Sequence, residues 1–189
     1  MLFRSLIISG QLVADGSATD SIYFIANNAN ANWGGITFTS GATASSVNAQ
    51  YVYQSGSIFN YCAVRNVTTS NGAIYAVNTG LFIDHSTINQ NSSNGIYFGY
   101  DGSYTSKFII SNSKIINNTQ HGIRFDGYQL GGELRIINNT IQANSLNGIT
   151  SSDGVVSQTY YIAGNNVLGN GQIGISANCY GTQTDRKST

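Results

Sequence analysis

A repeat in the second half of the chain constrains its fold more than any other feature. Between residues 81 and 177, a Gly-Ile pair occurs four times, and its glycines are separated by 27, 26 and 26 residues. An Asn precedes each pair by four residues. The pairs are Gly95-Ile96, Gly122-Ile123, Gly148-Ile149 and Gly174-Ile175, and the asparagines are Asn91, Asn118, Asn144 and Asn170. A constant period of this length is typical of solenoids, in which each repeat forms one turn.

The alternation within each repeat predicts strands. Residues 96–98 (Ile-Tyr-Phe) and 123–125 (Ile-Arg-Phe) alternate with period two, which is the period of a β-strand. Each repeat is therefore predicted to form three short strands, and equivalent strands stack in parallel about 4.8 Å apart. A leucine-rich repeat has a similar period, but Leu is scarce here. The prediction is an all-β, single-stranded parallel β-helix of about six to seven coils, with two inward ladders: Ile88, Ile115, Ile141, Val167 and Ile96, Ile123, Ile149, Ile175.

The repeated asparagines have a structural explanation. A coil must bend sharply between strands, and Asn tolerates the left-handed backbone conformation well. Stacked amides also hydrogen-bond along a ladder. The ladder Asn91, Asn118, Asn144, Asn170 is therefore interpreted as structural, and so is a second stack of small or polar residues: Cys62, Ser86, Ser113, Asn139 and Asn165.

Composition excludes several functions. The 189 residues include no Pro, which cannot donate to a sheet ladder. Charged residues make up 8% and the net charge is zero without a basic block, which argues against nucleic-acid binding. No apolar run approaches the roughly 20 residues of a membrane span. Cys62 and Cys179 lie four or more coils apart, beyond the roughly 7 Å Cα separation of a disulfide, so both are predicted to be free thiols.

The first third of the chain repeats less regularly. Strands are predicted at residues 6–13, 21–26 and 48–53, and the 37-residue interval from Gly35 to Gly72 predicts an insertion near residues 40–46. Residues 2–5 and 185–188 can be encoded by the two strands of a common sequencing adapter, which indicates that residues 1–5 and 185–189 are not native. We therefore expect the β-helix domain to span residues 6–184 and to be a fragment of a longer protein.

Several segments carry a family resemblance: residues 112–118 leading to Gly122-Ile123, and residues 138–141 leading to Gly148-Ile149. With these repeats the chain resembles the right-handed parallel β-helix repeat proteins of the pectate-lyase-like superfamily. Residues 22–24 and 33–36 are similar to the first coils of secreted bacterial members. The resemblance implies a secreted or cell-surface location and a polysaccharide partner. That superfamily includes lyases, hydrolases, epimerases, adhesins and tailspikes, so the fold does not choose among them.

One face of the solenoid is a candidate saccharide site. Three Asp-Gly pairs, at Asp101, Asp126 and Asp153, follow the Gly-Ile strand in successive coils and begin the longest loops. Tyr has an apolar body and a polar tip, which suits sugar rings. Asp-Gly is also a common tight-turn dipeptide, so a purely structural role stays open. The predicted substrate-binding residues are Tyr75, Tyr97, Tyr100, Tyr104, Arg124, Asp126 and Tyr128.

Catalytic candidates are sparse. A glycoside hydrolase needs two carboxylates about 5–10 Å apart, which Asp126 could form with Asp101 or Asp153. A lyase needs a base near a neutralised carboxylate, and His121 with Arg124 is the local candidate pair, although His121 also fits a bend. The motifs of polygalacturonases and the clustered acidic and basic residues of pectate lyases are missing. No cofactor is predicted, and calcium in the Asp loops is conceivable without a specifying spacing.

Three hypotheses about function follow. The first is an extracellular β-helix module that binds polysaccharide along one sheet face. The second is a structural stalk or adhesin segment without a ligand site. The third is a polysaccharide lyase or glycoside hydrolase active within this chain.

Overall fold

The computed structural model describes residues 5–26, 33–68, 71–99, 106–126, 132–151 and 159–177, and the backbone of residues 183–186. These residues form 22 strands, β1 to β22, and no helix occurs among them. Twenty of the strands belong to three parallel sheets, here named A, B and C, and the other two form an antiparallel hairpin. The protein is a parallel β-solenoid of about six turns, as the repeat predicts.

Each turn contributes one strand to each sheet, because the chain visits sheets A, B and C in that order. Sheet A contains β1 (Leu6–Ile8), β4 (Ile36–Phe38), β9 (Gly72–Val77), β12 (Asn94–Gly99), β15 (Ile123–Phe125), β18 (Ile149–Ser151) and β21 (Ile175–Ser176). Sheet B contains β2 (Val13–Asp15), β7 (Ile58–Asn60), β10 (Phe82–Asp84), β13 (Lys107–Ser111), β16 (Glu133–Ile137), β19 (Thr159–Ala163) and β22 (Gln183–Arg186). Sheet C contains β3 (Ile22–Phe24), β8 (Cys62–Arg65), β11 (Thr87–Asn89), β14 (Lys114–Ile116), β17 (Thr140–Gln142) and β20 (Asn166–Leu168).

Aliphatic ladders fill the interior. Both predicted ladders are in register from coil to coil. Their members in the central coils are fully buried, and burying one such side chain contributes about 1.5–3 kcal/mol. These residues are Ile88, Ile115 and Ile141 in one ladder and Ile96, Ile123 and Ile149 in the other.

The predicted Asn ladder is confirmed as a structural element. The backbone N–H and side-chain Nδ2 of Asn91 both donate to Oδ1 of Asn118, at 3.3 and 2.8 Å. Asn118 donates to Asn144 in the same way, at 3.1 and 2.9 Å, and Asn144 donates to Asn170. Nδ2 of Asn118 also donates to the carbonyl of Ile88. Buried polar groups require such partners, so the ladder satisfies the backbone at each corner.

The glycine that reveals the period is required by this ladder. A Cβ at Gly95 would lie 2.7 Å from the Gly122 carbonyl oxygen and 2.9 Å from Nδ2 of Asn118. Real Cβ atoms do not approach other atoms so closely, and Gly122 and Gly148 are confined in the same way. The Gly and Asn repeats are therefore two parts of one corner.

The second predicted stack is also hydrogen-bonded from coil to coil. Backbone N–H groups of Cys62 and Ser86 donate to the next hydroxyl, each at 3.0 Å, and those of Ser113 and Asn139 donate to the next amide oxygen, each at 2.9 Å. The predicted conformational reason for Asn in the first ladder is wrong. The positive φ falls on the residue before each ladder member, at Gln90, Asn117, Ala143 and Gly169. The buried Asn is selected for its hydrogen bonds, while its exposed neighbour makes the bend.

The strand predicted at residues 48–53 is wrong. Residues 48–52 form the turn of a hairpin between β5 (Ser46–Val47) and β6 (Tyr53–Ser55). Oδ1 of Asn48 accepts the N–H groups of Gln50 and Val52, at 3.0 and 2.9 Å, and Tyr51 has a φ of 62°. The Asn side chain thus replaces the backbone partners of a strand. The insertion predicted near residues 40–46 is this hairpin, at 46–55, and the strand predicted at 6–13 is divided into β1 and β2.

Three further predictions concern the cysteines, the membrane and the domain bounds. Cys62 is a buried free thiol, and burial is the main cause that raises its pKa to about 11. Cys179 lies outside the described residues. Within the described ranges, no helix has the length and apolar character needed to span a membrane. The domain bounds of 6–184 stay a prediction.

Candidate functional site

The outer face of sheet A carries the predicted row of outward side chains. Tyr75 pairs with Tyr97, Tyr97 with Arg124, and Arg124 with Thr150 across successive strands. Ser176 continues the row on β21. Each residue follows an inward Ile, so strand alternation turns it to the outside.

Four residues on this face form one network, named here the sheet A cluster: Tyr75, Tyr97, Arg124 and Asp126. The rings of Tyr75 and Tyr97 stack with centroids 5.0 Å apart. The Arg124 guanidinium lies 5.1 Å from the centroid of the Tyr97 ring. Oδ2 of Asp126 accepts hydrogen bonds from Tyr97 Oη at 2.8 Å and from Arg124 Nε at 2.9 Å, and it lies 2.6 Å from Arg124 Nη2. The sequence placed these residues on one face, and the structure brings them into direct contact.

The network fixes the protonation of its members. Burial, reinforced by the hydrogen bond to Asp126, raises the pKa of Tyr97 to about 12. The hydrogen bond with Asp126 also raises the pKa of Arg124. At neutral pH the cluster therefore presents a neutral phenol, a guanidinium and a carboxylate. Tyr97 does not act as a base under these conditions.

His121 lies in a corner ladder. Its backbone N–H donates to Oδ1 of Asn94 at 3.2 Å, and its Nδ1 accepts the N–H of Asn147 at 3.1 Å. Oδ1 of Asn147 continues the ladder to the N–H of Ile173. Burial first, and then the charge of Arg124, lower the pKa of His121, although Asp126 opposes the shift. A neutral ring suits this position because Nδ1 must carry a lone pair to accept.

The other candidate site residues cannot be placed. Asp101, Asp153, Tyr100, Tyr104 and Tyr128 all lie outside the described residues. The two carboxylate pairs proposed for hydrolysis, and a calcium site in the Asp loops, therefore stay predictions. In the part of the chain that the structure describes, no group of three or more His, Cys, Asp or Glu residues is arranged to hold a metal ion.

A second surface, on the outer face of sheet B, was not anticipated from the sequence. The hairpin of β5 and β6 packs on this face, so that Ile58, Phe82 and Ile109 form a small apolar cluster beneath it. Val47, Tyr51 and Tyr53 of the hairpin cover them. The available signal was the apolar doublets Phe82-Ile83 and Ile109-Ile110, because a strand buried on both faces loses its alternation.

Ionic and aromatic contacts hold the hairpin to sheet B, and their residues are named here the Tyr51 clamp: Tyr51, Lys107, Glu133, Arg135 and Tyr161. The Arg135 guanidinium lies 3.7 Å from the ring centroid of Tyr51 and 4.1 Å from that of Tyr161. Tyr51 Oη donates to Glu133 Oε2 at 3.2 Å, and Arg135 Nη1 donates to Glu133 Oε1 at 2.9 Å. Burial alone would raise the pKa of Glu133, but the hydrogen bonds from Arg135 and Tyr51 and the charges of Arg135 and Lys107 lower it overall.

Beside the clamp, a cavity of about 410 Å³ opens between the hairpin and sheet B. We name it the sheet B groove. One side is apolar and aromatic, and the other is a row of polar side chains from the last positions of the sheet B strands and the bend after β13. The lining residues are Tyr51, Val52, Tyr53, Ile58 and Phe82 on the first side and Asp15, Asn60, Asp84, Ser111 and Asn112 on the second.

Comparisons with protein-family models, with curated proteins and with solved structures give no match to this chain. The parallel solenoid is therefore established by the coordinates and not by a relative. The outer faces of sheets A and B are therefore the two candidate functional surfaces.

Proposed function

We propose that this chain is a β-helix module that binds polysaccharide along the outer face of sheet A. The observation that carries the proposal is the sheet A cluster. The rings of Tyr75 and Tyr97 stack on each other, so two phenol side chains lie next to each other on neighbouring coils. Aromatic rings with a polar tip bind the apolar face of a sugar while their hydroxyls reach its polar edge.

The polar members of the cluster suit the same ligand. Arg124 offers N–H donors beside the rings, and Asp126 holds the Arg124 guanidinium and the Tyr97 hydroxyl in place. At the next position Thr150 is buried and its Oγ1 accepts from Asn147 Nδ2, and the row then continues with Ser176. Because successive strands lie about 4.8 Å apart, these side chains form a regular line that a linear polymer can follow.

We also propose that the chain belongs to the pectate-lyase-like superfamily of right-handed β-helices and acts outside the cell or at its surface. Three parallel sheets, visited in a fixed order and joined by polar ladders, support this assignment. The resemblance of the repeats noted above is its other support.

A structural stalk or adhesin segment is the second candidate, and one observation favours it. Oδ2 of Asp126 is bound by both Tyr97 and Arg124, so the cluster also joins neighbouring coils. The third hypothesis, a lyase or hydrolase, depends on Asp101 and Asp153, which lie outside the described residues. Release of reducing ends or of unsaturated products from uronate polymers would support it.

Affinity gel electrophoresis over a panel of neutral and acidic polysaccharides tests the binding proposal. We expect retardation of the wild-type protein by at least one polymer and about tenfold weaker binding by Tyr97→Ala, which removes one of the two stacked rings. Tyr23→Ala is the control, because Tyr23 is 60% exposed on sheet C. Equal retardation of the Tyr97 variant and the wild type would exclude the sheet A site, and no retardation by any polymer would favour the stalk.

A further inference from the structure

The sheet B groove has the composition of a ligand site. Its volume lies in the range of about 300–1,000 Å³ that is usual for small-molecule pockets. Tyr53 and Phe82 form its aromatic wall, with ring centroids 5.6 Å apart and planes inclined by 53°. The Oη of Tyr53 donates to the carbonyl of Gly56 at 2.8 Å, which fixes this ring in place. The wall is therefore rigid before any ligand arrives.

The opposite side is an ordered row of acceptors. Asp15, Asn60, Asp84 and Ser111 occupy the same register position on four successive strands. Asn60 Nδ2 donates to Asp15 Oδ1 at 2.8 Å, and Ser111 Oγ donates to Asp84 Oδ1 at 2.7 Å. Asp84 is already fully engaged, because its Oδ1 also accepts from Asn112 Nδ2 at 2.9 Å and its Oδ2 lies 2.8 Å from His85 Nδ1. The internal hydrogen bonds therefore hold the polar side of the groove in one arrangement.

One acceptor in the row lacks a partner. Oδ1 of Asn60 is buried and accepts no hydrogen bond within the described residues. The bond from its Nδ2 to Asp15 fixes the amide orientation, so the oxygen cannot be exchanged for the nitrogen. The Asn60 amide is therefore a fixed part of the polar side of the groove.

The charge of the groove selects the ligand class. Among the described residues that line it, the charged ones are Asp15 and Asp84, and His85 Nδ1 lies 2.8 Å from Oδ2 of Asp84. Acidic sugars would therefore be repelled. Among the described residues, Asp15 and Asp84 belong to no group of three or more His, Cys, Asp or Glu residues that could hold a metal ion. A ligand with many hydroxyl donors, an apolar ring face and no charge fits the aromatic wall and the row of acceptors together.

We propose that the sheet B groove is a second binding site, specific for neutral pyranose sugars. The apolar ring face packs on Tyr53 and Phe82, and the hydroxyls donate to Asp15 and to the side-chain oxygens of Ser111 and Asn112. The site does not depend on the sheet A cluster, since the two occupy different sheets. It is created by the inserted hairpin, which gives this coil a function that the regular repeats lack.

Isothermal titration calorimetry tests the site with oligosaccharides of glucose, mannose, galactose and xylose at concentrations up to about 10 mM. Oligogalacturonate and glucosamine oligomers are the charged comparisons. Val52→Trp places a large ring at the mouth of the groove, and Val52 is 55% exposed, so the fold should persist. Leu168→Trp is the matched control, because Leu168 is 49% exposed on sheet C.

We expect a neutral oligosaccharide to bind the wild-type protein, Val52→Trp to bind it at least tenfold more weakly, and Leu168→Trp to bind it within twofold of wild type. The proposal is overturned if no neutral sugar binds, if Val52→Trp binds neutral sugars like wild type, or if Val52→Trp weakens the binding of a charged series as much as that of the neutral sugars. The polymer site on sheet A is judged separately by Tyr97→Ala on polysaccharides, so failure of one proposal does not imply failure of the other.

Discussion

The outer faces of sheets A and B each carry a contact between three residues of the same types, but the two contacts are formed by different parts of the chain. Each combines a Tyr, an Arg and a carboxylate: Tyr97, Arg124 and Asp126 on sheet A, and Tyr51, Arg135 and Glu133 on sheet B. On sheet A all three residues come from neighbouring coils. On sheet B the Tyr comes from an insertion 82 residues before the Glu. The contact on sheet A uses residues of the regular repeats, and the contact on sheet B uses a residue of the inserted hairpin.

The two contacts differ in burial. The Arg124 side chain is 38% exposed and contacts one ring, whereas the Arg135 side chain is 15% exposed and lies between the rings of Tyr51 and Tyr161. A cation–π contact gains from about 0.5–1 kcal/mol at exposed sites to about 2 kcal/mol when it is desolvated. The Tyr51 clamp is therefore the stabilising set, and the sheet A cluster is the more accessible one. A shared set of residues does not imply a shared role.

Breaking the Asn ladder should lower the free energy of unfolding more than any other change, because the coils that carry both faces are joined by this ladder. We expect Asn118→Ala to lower the free energy of unfolding by about 3–4 kcal/mol, since it removes the buried partners of Asn91, Ile88 and Asn144 together. Urea denaturation followed by circular dichroism measures the loss. Asn117→Gly is the control, because Asn117 is exposed with a φ of 56°, which Gly adopts freely. If Asn118→Ala and Asn117→Gly lower the free energy of unfolding equally, the Asn ladder is not the main stabilising element.

The Tyr51 clamp and the sheet A cluster are compared directly by matched substitutions. We expect Tyr51→Ala to lower the free energy of unfolding by about 2 kcal/mol and Tyr97→Ala by about 1 kcal/mol, because Arg135 is the more buried cation. Tyr51→Phe keeps the ring over Arg135 and removes only the hydrogen bond to Glu133. It should therefore retain more than half of the stability lost in Tyr51→Ala. Equal losses in the two alanine variants would remove the distinction between the faces.

The sequence was sufficient for the strands and ladders that recur from coil to coil, although it placed the left-handed bend on the ladder Asn and not on the residue before it. A Gly-Ile pair and an Asn at a fixed period predicted the solenoid, its ladders and the outward row that contains Tyr97 and Arg124. Strand alternation and the repeat both act locally, so each residue's side and coil can be read from its position. The double contact of Asp126 with Tyr97 and Arg124 was beyond this reasoning, because it depends on side-chain conformations.

The sheet B groove could not be predicted because the hairpin that forms it occurs once and is not part of the repeat. Residues 48–53 resemble a strand in composition, and only the hydrogen bonds of Asn48 reveal a turn. The contact of Tyr51 with Arg135 joins segments that are distant in sequence, and the repeat does not predict it. The apolar doublets Phe82-Ile83 and Ile109-Ile110 were the local signs that something covers this face.

The smallest expected effect concerns the ionisation of the sheet A cluster. The pKa of Tyr97 is raised to about 12 from a usual value of 10.0, mainly by burial and then by the hydrogen bond to Asp126. A raised pKa favours the protonated phenol in the folded state. Its contribution to stability is therefore complete below pH 10 and is lost as the pH rises towards about 12.

Ultraviolet titration of the phenolate measures this shift as the difference between the wild type and Tyr97→Phe. Asp126→Asn should move the midpoint of that difference towards 10, because it removes both the charge and the carboxylate acceptor. A midpoint that does not change in Asp126→Asn would mean that burial alone sets the pKa. The cluster would then be a row of neighbours and not one network, and its contrast with the Tyr51 clamp would rest on exposure alone.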